Sequence, residues 1–279
     1  MIQLPSLSPK ASTLTALSTY QSTVDGAGTF NEQSDKAKSE FSNRNKKGND
    51  AFDDVKEKLT DMCSGARRCA YCEDSMADEV EHIYPKTLYP ERCFSWHNYL
   101  YACGPCNGPK NNKFAIFRND NGLFEDVSPK KGQPVVQPAP GRAVMVDPRT
   151  ENGMDFCILD LGRTFKFIID PTLQPGTDDH RRADYTFNTI LKLNEQREAL
   201  RLAREIAYEN YSSRLYKYDG QKKAGVGQGI LDRLILGIQT ESHPTVWKEI
   251  QRYHGNGWLA GIDVELDQLM MDNPEAMGW

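Results

Sequence analysis

The chain contains no apolar run approaching the length of a bilayer-spanning helix, so no membrane-embedded role is expected. Met1 to Leu14 lacks a basic segment followed by an apolar one, so no secretory signal is expected and the anticipated compartment is the cytoplasm. Positive charge is in deficit, with 34 Lys and Arg against 39 Asp and Glu and a net charge of −5. That balance argues against a protein that grips nucleic acid by bulk electrostatics. If nucleic acid is the substrate, a local basic patch or a partner has to hold it. The seven cysteines are an odd set, which argues against a closed disulfide framework. No internal repeat is visible.

The length, 279 residues, suits one large domain or two small ones with a core that needs no disulfide staples. Residues 1–30 are rich in Ser, Thr and Ala and read as an extended arm or partly disordered leader. Asn31 to Asn45 lacks Gly and Pro and reads as helix. A second helix is expected from Asp50 to Cys63, because Phe52, Val55, Leu59 and Met62 recur on one helical face, with Gly65 just past its end. Ser128 to Gly141 is a loop rich in Pro and Gly. Ala143 to Val146 reads as a strand. Met154–Leu161 and Thr164–Ile169 read as a hairpin turning at Gly162-Arg163. Beyond Tyr185 the pattern is helical: Tyr185–Leu193, then Glu195–Tyr218, then a helix marked by Ile230, Leu234 and Ile238, then one opened by Pro244. The last segment, Asp263 to Trp279, is acidic and carries Leu266, Leu269, Met270 and Trp279.

The chemistry-bearing block runs from Arg67 to Arg118. Cys69/Cys72 and Cys103/Cys106 form two Cys-x-x-Cys pairs, and four thiolates satisfy a tetrahedral Zn²⁺. No βαβ pattern surrounds either pair, which speaks against a thioredoxin-like redox centre. The isolated Cys93 and Cys157 read as ordinary buried cysteines. Between the pairs lie Glu81-His82-Ile83-Tyr84-Pro85 and Trp96-His97-Asn98-Tyr99-Leu100. The second pair continues as Cys106-Asn107-Gly108-Pro109-Lys110. A carboxylate and an amide oxygen make a hard site suited to Mg²⁺ or Mn²⁺. Histidine has a pKa near neutrality and suits general-base work.

Taken together, these motifs resemble the HNH nuclease family over roughly residues 67 to 113. The resemblance implies a ββα-metal core whose ends are tied by a four-cysteine zinc knot. It implies His82 as the base that activates water, and Glu81 and Asn107, with His82, around a catalytic divalent metal. Glu81 departs from the commoner Asp. Asn98 is implied as a brace of the loop through backbone hydrogen bonds. The Cys-Ala-Tyr-Cys-Glu segment, with Leu193, Asn194, Arg197 and Leu200 downstream, resembles the PtuB-type HNH proteins of bacterial anti-phage systems, a subgroup that works beside an ABC-type ATPase.

The resulting expectation is an α+β protein in four parts. These are an N-terminal arm and helices (residues 1–66), the zinc-tied nuclease core (67–118), a linker and short β region (119–180), and a helical C-terminal region (181–279). The expected function is metal-dependent hydrolysis of DNA phosphodiester bonds, with His82 exposed in a groove. Lys86, Arg92, Lys110 and Lys113, with Arg118, would form the local basic set for phosphates. The acidic balance points to a partner that brings DNA, docked in part on the Leu/Met/Trp-bearing tail, unless that tail packs on its own domain. The alternatives are a solitary restriction or homing-type nuclease and a non-catalytic zinc module that binds nucleic acid or protein.

Overall fold

The computed structural model describes residues 1–195 and 197–279. The fold is α+β, with small sheets set among helices. Helices α1 (Ala11–Asp25), α2 (Phe30–Arg44) and α3 (Asp50–Met62) pack together at the N-terminal end. Local chemistry sets two of the boundaries. Thr29 and Glu32 form a reciprocal capping box that starts α2, and the Asn49 side chain accepts the Phe52 amide to start α3.

Helix α1 corrects the reading of residues 1–30 as an arm. Its Ser and Thr residues lower intrinsic helix propensity, and their hydroxyls bond back to carbonyls four residues earlier, as in Thr15 to Ala11, Thr19 to Thr15 and Ser22 to Ser18. Leu17 and Val24 are buried, and Thr13 is anchored on Asp54 of α3. Tertiary burial outweighs propensity here.

Strands β1 (Glu79–His82) and β2 (Tyr99–Ala102) form an antiparallel pair with Glu81 opposite Leu100 and His82 opposite Tyr99. Helix α4 (Gly104–Lys110) follows β2 directly. A three-stranded sheet comes next, with β3 (Ala115–Arg118) between β4 (Phe124–Asp126) and β5 (Gly141–Ala143). Neither β3 nor β4 was anticipated. The strand expected over Ala143 to Val146 ends at Ala143, after which Val144, Met145 and Val146 run on as buried irregular backbone.

The hairpin around Gly162 exists as β6 (Cys157–Leu159) paired with β7 (Phe167–Ile169). Its turn is longer than a two-residue type II′ turn. Asp160 organises it by accepting from the Thr164 amide and hydroxyl, and the residue with positive φ is Phe165 at 51° rather than Gly162.

The C-terminal region is helical. Helix α5 (Asp178–Ala183) runs into a π-helical turn, Asp184–Ile190. Then come α6 (Glu198–Lys223), α7 (Gln228–Gln239), α8 (Pro244–Gly255) and α9 (Val264–Asp272). The tail is not a free docking arm. Leu266, Met270 and Ala276 are buried, and Trp279 lies against Trp247 of α8 and Tyr218 of α6, with ring centroids 6.4 and 4.7 Å away. One buried cluster draws side chains from all four sequence regions, among them Phe52, Cys106, Leu159 and Trp247. Among the described residues, no helix is long and apolar enough to cross a membrane.

Candidate functional site

Two chain reversals bring the four paired cysteines together. Cys69 and Cys72 sit in a turn flanked by left-handed residues, Arg67 at φ 55° and Glu73 at φ 62°. Cys103 and Cys106 sit at the start of α4, delivered by β2. All four are buried, and their sulfur atoms lie within 4.8 Å of one another. Cys72 Sγ and Cys103 Sγ are 3.7 Å apart. Tetrahedral thiolates at the usual Zn–S length of about 2.3 Å would stand roughly 3.8 Å apart. Backbone amides of Tyr71 and Cys103 point at Cys69 Sγ from 3.4 and 3.3 Å, the donors a thiolate requires once buried. The donor set and spacing fit a structural zinc. Each of the seven cysteines is a free thiol, and Cys93 and Cys157 are buried as ordinary core cysteines.

Beside this centre, strand alternation sends Glu79 and Glu81 to one face of β1 and Val80 and His82 to the other. The Glu81 carboxylate is buried and forms an ion pair with Lys110 at the end of α4. The Lys110 ammonium is sealed from solvent and also donates to the His82 carbonyl at 2.8 Å. Glu81 Oε1 lies within ion-pair reach of Lys110 yet takes no well-directed hydrogen bond. Burial raises the Glu81 carboxyl above its usual range, against the opposing pull of Lys110.

His82 is not exposed in a groove. It is buried, with its ring edge-on to Phe41 of α2 and to Tyr99, at centroid distances of 4.4 and 5.2 Å. Its Nε2 lies 3.0 Å from the Cys93 carbonyl. A carbonyl only accepts, so Nε2 carries the proton and Nδ1 keeps the lone pair. Burial, reinforced by the nearby Lys86 and Lys110 charges, holds the imidazole neutral, well below its ordinary pKa.

Asn98 ties the segment between β1 and β2 to itself. Its Oδ1 accepts the Tyr84 amide at 2.7 Å, and its Nδ2 donates to the Tyr84 and Arg92 carbonyls at 2.9 and 3.0 Å. Asn107 turns to Glu79 rather than Glu81, donating to its carboxylate at 2.5 Å. Glu79 was missed by sequence reasoning. The available signal was its period-two relation to Glu81, which the weight given to the Glu-His pair obscured.

The expected basic set divides. Lys110 is internal and does not reach a surface phosphate. Lys86 is largely buried, its ammonium 4.9 Å from the Phe41 ring centre, and burial lowers its pKa. Arg118 is already paired with Asp120 and Glu125. Arg92, over the Tyr84 ring, and Lys113 present charge to solvent.

In this conformation, therefore, Glu81, His82 and Asn107 do not converge on a divalent-metal position. Lys110 stands as the cation at Glu81, Asn107 is held by Glu79, and His82 faces the opposite side of β1. Among the described residues, Glu81 and His82 gather no third carboxylate or imidazole ligand around them.

The chain is 39% identical over 61 residues to the Septu protein PtuB of Bacillus thuringiensis. The match covers 20% of this chain and 23% of that protein, so the chain spans less than a quarter of the relative's length. No family model matches the chain, and no solved structure matches it.

Proposed function

We propose that this protein is an HNH-type endonuclease that hydrolyses DNA phosphodiester bonds within a bacterial anti-phage defence system. One observation carries the reading. An antiparallel strand pair runs directly into a helix, with Glu81-His82 on the first strand, Asn98 bracing the connection and Asn107 on the helix, and four clustered cysteines tie the ends. A bare zinc module has no need of the Glu-His pair, the Asn98 brace or the Asn107 position. The partial likeness to a Septu protein supports the defence role.

In this reading His82 is the general base, and its neutral imidazole with a free Nδ1 lone pair is the form that accepts a proton from water. Asn98 keeps the loop after His82 in register with β2. Arg92 and Lys113 meet flanking phosphates. A dependence on Mg²⁺ or Mn²⁺ belongs to the HNH resemblance. Glu81 becomes available for it only when Lys110 leaves, and Asn107 only when it leaves Glu79, which makes the present arrangement a resting form. Opening it is the task of substrate or of a partner, an ATPase by the PtuB-type resemblance. A net charge of −5 also favours a partner that brings the DNA.

The enclosure of His82 favours one second reading, a zinc module without catalysis that binds nucleic acid or protein. Incubating supercoiled plasmid with the protein, alone and with the product of the neighbouring gene, separates the two. Nicking that needs Mg²⁺ or Mn²⁺ and disappears in His82→Ala supports the nuclease. No cleavage under either condition favours the binding module.

A further inference from the structure

The loop entering α6 contains Leu193, Asn194 and Arg197, and the zinc and nuclease readings assign these residues no task. The structure ties each one down. Leu193 is buried, its amide donates to the Phe187 carbonyl at 2.8 Å, and its carbonyl accepts from Arg204 at 3.0 Å. The Asn194 side chain acts as a short strand against Phe167 of β7. Its Oδ1 accepts the Phe167 amide at 2.8 Å, and its Nδ2 donates to the Phe167 carbonyl at 2.6 Å. Arg204 is buried and donates a second bond to the Phe165 carbonyl at 2.9 Å. Arg197 stands at the start of α6, and its Nη1 lies 3.2 Å from Cys106 Sγ, across 91 positions of sequence.

We propose that Arg197 is a positioning residue of the zinc centre, donating a charge-assisted hydrogen bond to the Cys106 thiolate. The proposal rests on the reading of the four cysteines as a zinc site. Four thiolates around Zn²⁺ carry a net charge of two minus inside the protein. The Tyr71 and Cys103 amides address Cys69, whereas the guanidinium addresses Cys106. A positive donor offsets part of the negative charge on that sulfur, so the thiolate is less readily displaced from the metal. The clamp also makes the helical C-terminal region part of the metal centre. The zinc knot is therefore not a self-contained finger.

The test compares zinc release from the full chain into a colorimetric chelator for wild type, Arg197→Gln and Arg197→Lys, with melting temperatures recorded alongside. Partners of this kind change metal affinity about 10- to 100-fold. The expected result is release about tenfold or more faster from Arg197→Gln, with a smaller acceleration in Arg197→Lys, whose ammonium ends short of the guanidinium position. A second measurement reads the sulfur directly. In Co²⁺-substituted protein, loss of the donor should move the thiolate-to-cobalt charge-transfer band to lower energy, a change that general loosening of the loop does not produce. If Arg197→Gln does not fold, Arg197→Lys decides by the same two readouts. Wild-type release and an unmoved band in a folded variant overturn the role of Arg197. Wild-type protein isolated without zinc and unable to bind it overturns the zinc reading itself, which is a distinct outcome.

Discussion

The ammonium of Lys110 and the carboxylate of Glu81 form an ion pair that is closed to solvent, joining the end of α4 to β1. Breaking a buried pair by removing one partner commonly costs about 3–5 kcal/mol, because the other charge is stranded. Lys110→Met should therefore lower the urea midpoint strongly, and the double variant Glu81→Gln/Lys110→Met should recover much of the loss. A single variant within about 0.5 kcal/mol of wild type, the range of an ordinary surface change, would show that the pair contributes little.

Metal analysis should find one zinc per chain, lost or sharply reduced in Cys103→Ser. Since Cys103 and Cys106 open α4, losing the metal should also loosen β1, β2 and α4, read as faster amide exchange there than in α6. Protein that is zinc-free yet equally protected in these elements would contradict the structural role.

His82 is expected to resist diethylpyrocarbonate in the isolated protein and to react once Phe41→Ala removes the ring packed 4.4 Å from it. If the enclosed form is the resting one, Phe41→Ala should also raise metal-dependent nicking by the isolated chain. His82→Ala should abolish nicking, and because it leaves a cavity against Phe41 and Tyr99 it should lower stability by about 1–3 kcal/mol. Rapid modification of His82 in wild type would show that the site is already open.

Asp54 provides a pH dependence. Burial disfavours its ionised form, but donors from the Thr13 hydroxyl and the Lys10 amide prevail and hold the carboxyl below its ordinary value. A carboxylate with a depressed folded pKa contributes stability that is present above the unfolded value of about 3.9 and is lost as pH falls through the folded value. Hydrogen bonds to a charged group are worth about 1.5–3 kcal/mol each. Asp54→Asn should therefore be less stable than wild type at pH 7, with the gap closing as pH falls through the depressed folded value. An equal gap above and below that value would mean that charge is not the source.

Truncation after Tyr253 should impair folding rather than detach a docking surface. It removes Leu266, Met270 and Ala276 from the core and Trp279 from Trp247. Burial of each large apolar side chain contributes about 1.5–3 kcal/mol, so thermal scanning should show a drop in melting temperature of about 10 °C or more. An unchanged melt would return the tail to candidacy as a partner surface.

Much of the site could be read from residue types and spacing. Two Cys-x-x-Cys pairs imply four thiolates wherever the chain folds back, and the structure brings those thiolates together. Helices α2 and α3 follow from local patterning and capping, which act within a few residues. Helix α1 escaped because Ser and Thr masked its apolar face. The side of β1 that Glu79 shares with Glu81 was available from alternation alone.

What sequence alone determined is chemical type and local form: where thiols, carboxylates and an imidazole recur at metal-site spacing, and where helices such as α2, α3 and α8 start. What only tertiary structure decided is exposure and partnership. The position of Lys110 in the motif does not say whether its ammonium meets a phosphate or Glu81. His82 is shut away by Phe41, a residue on a helix outside the motif. Arg197 meets Cys106 across 91 positions of sequence, beside a segment in which Asn194 pairs with Phe167 of β7 and Arg204 holds the Phe165 and Leu193 carbonyls. Hydrogen-bond propensity and periodicity are properties of neighbours in the chain. Desolvation and charge pairing depend on which distant surfaces close over a side chain, and that is settled when the core forms.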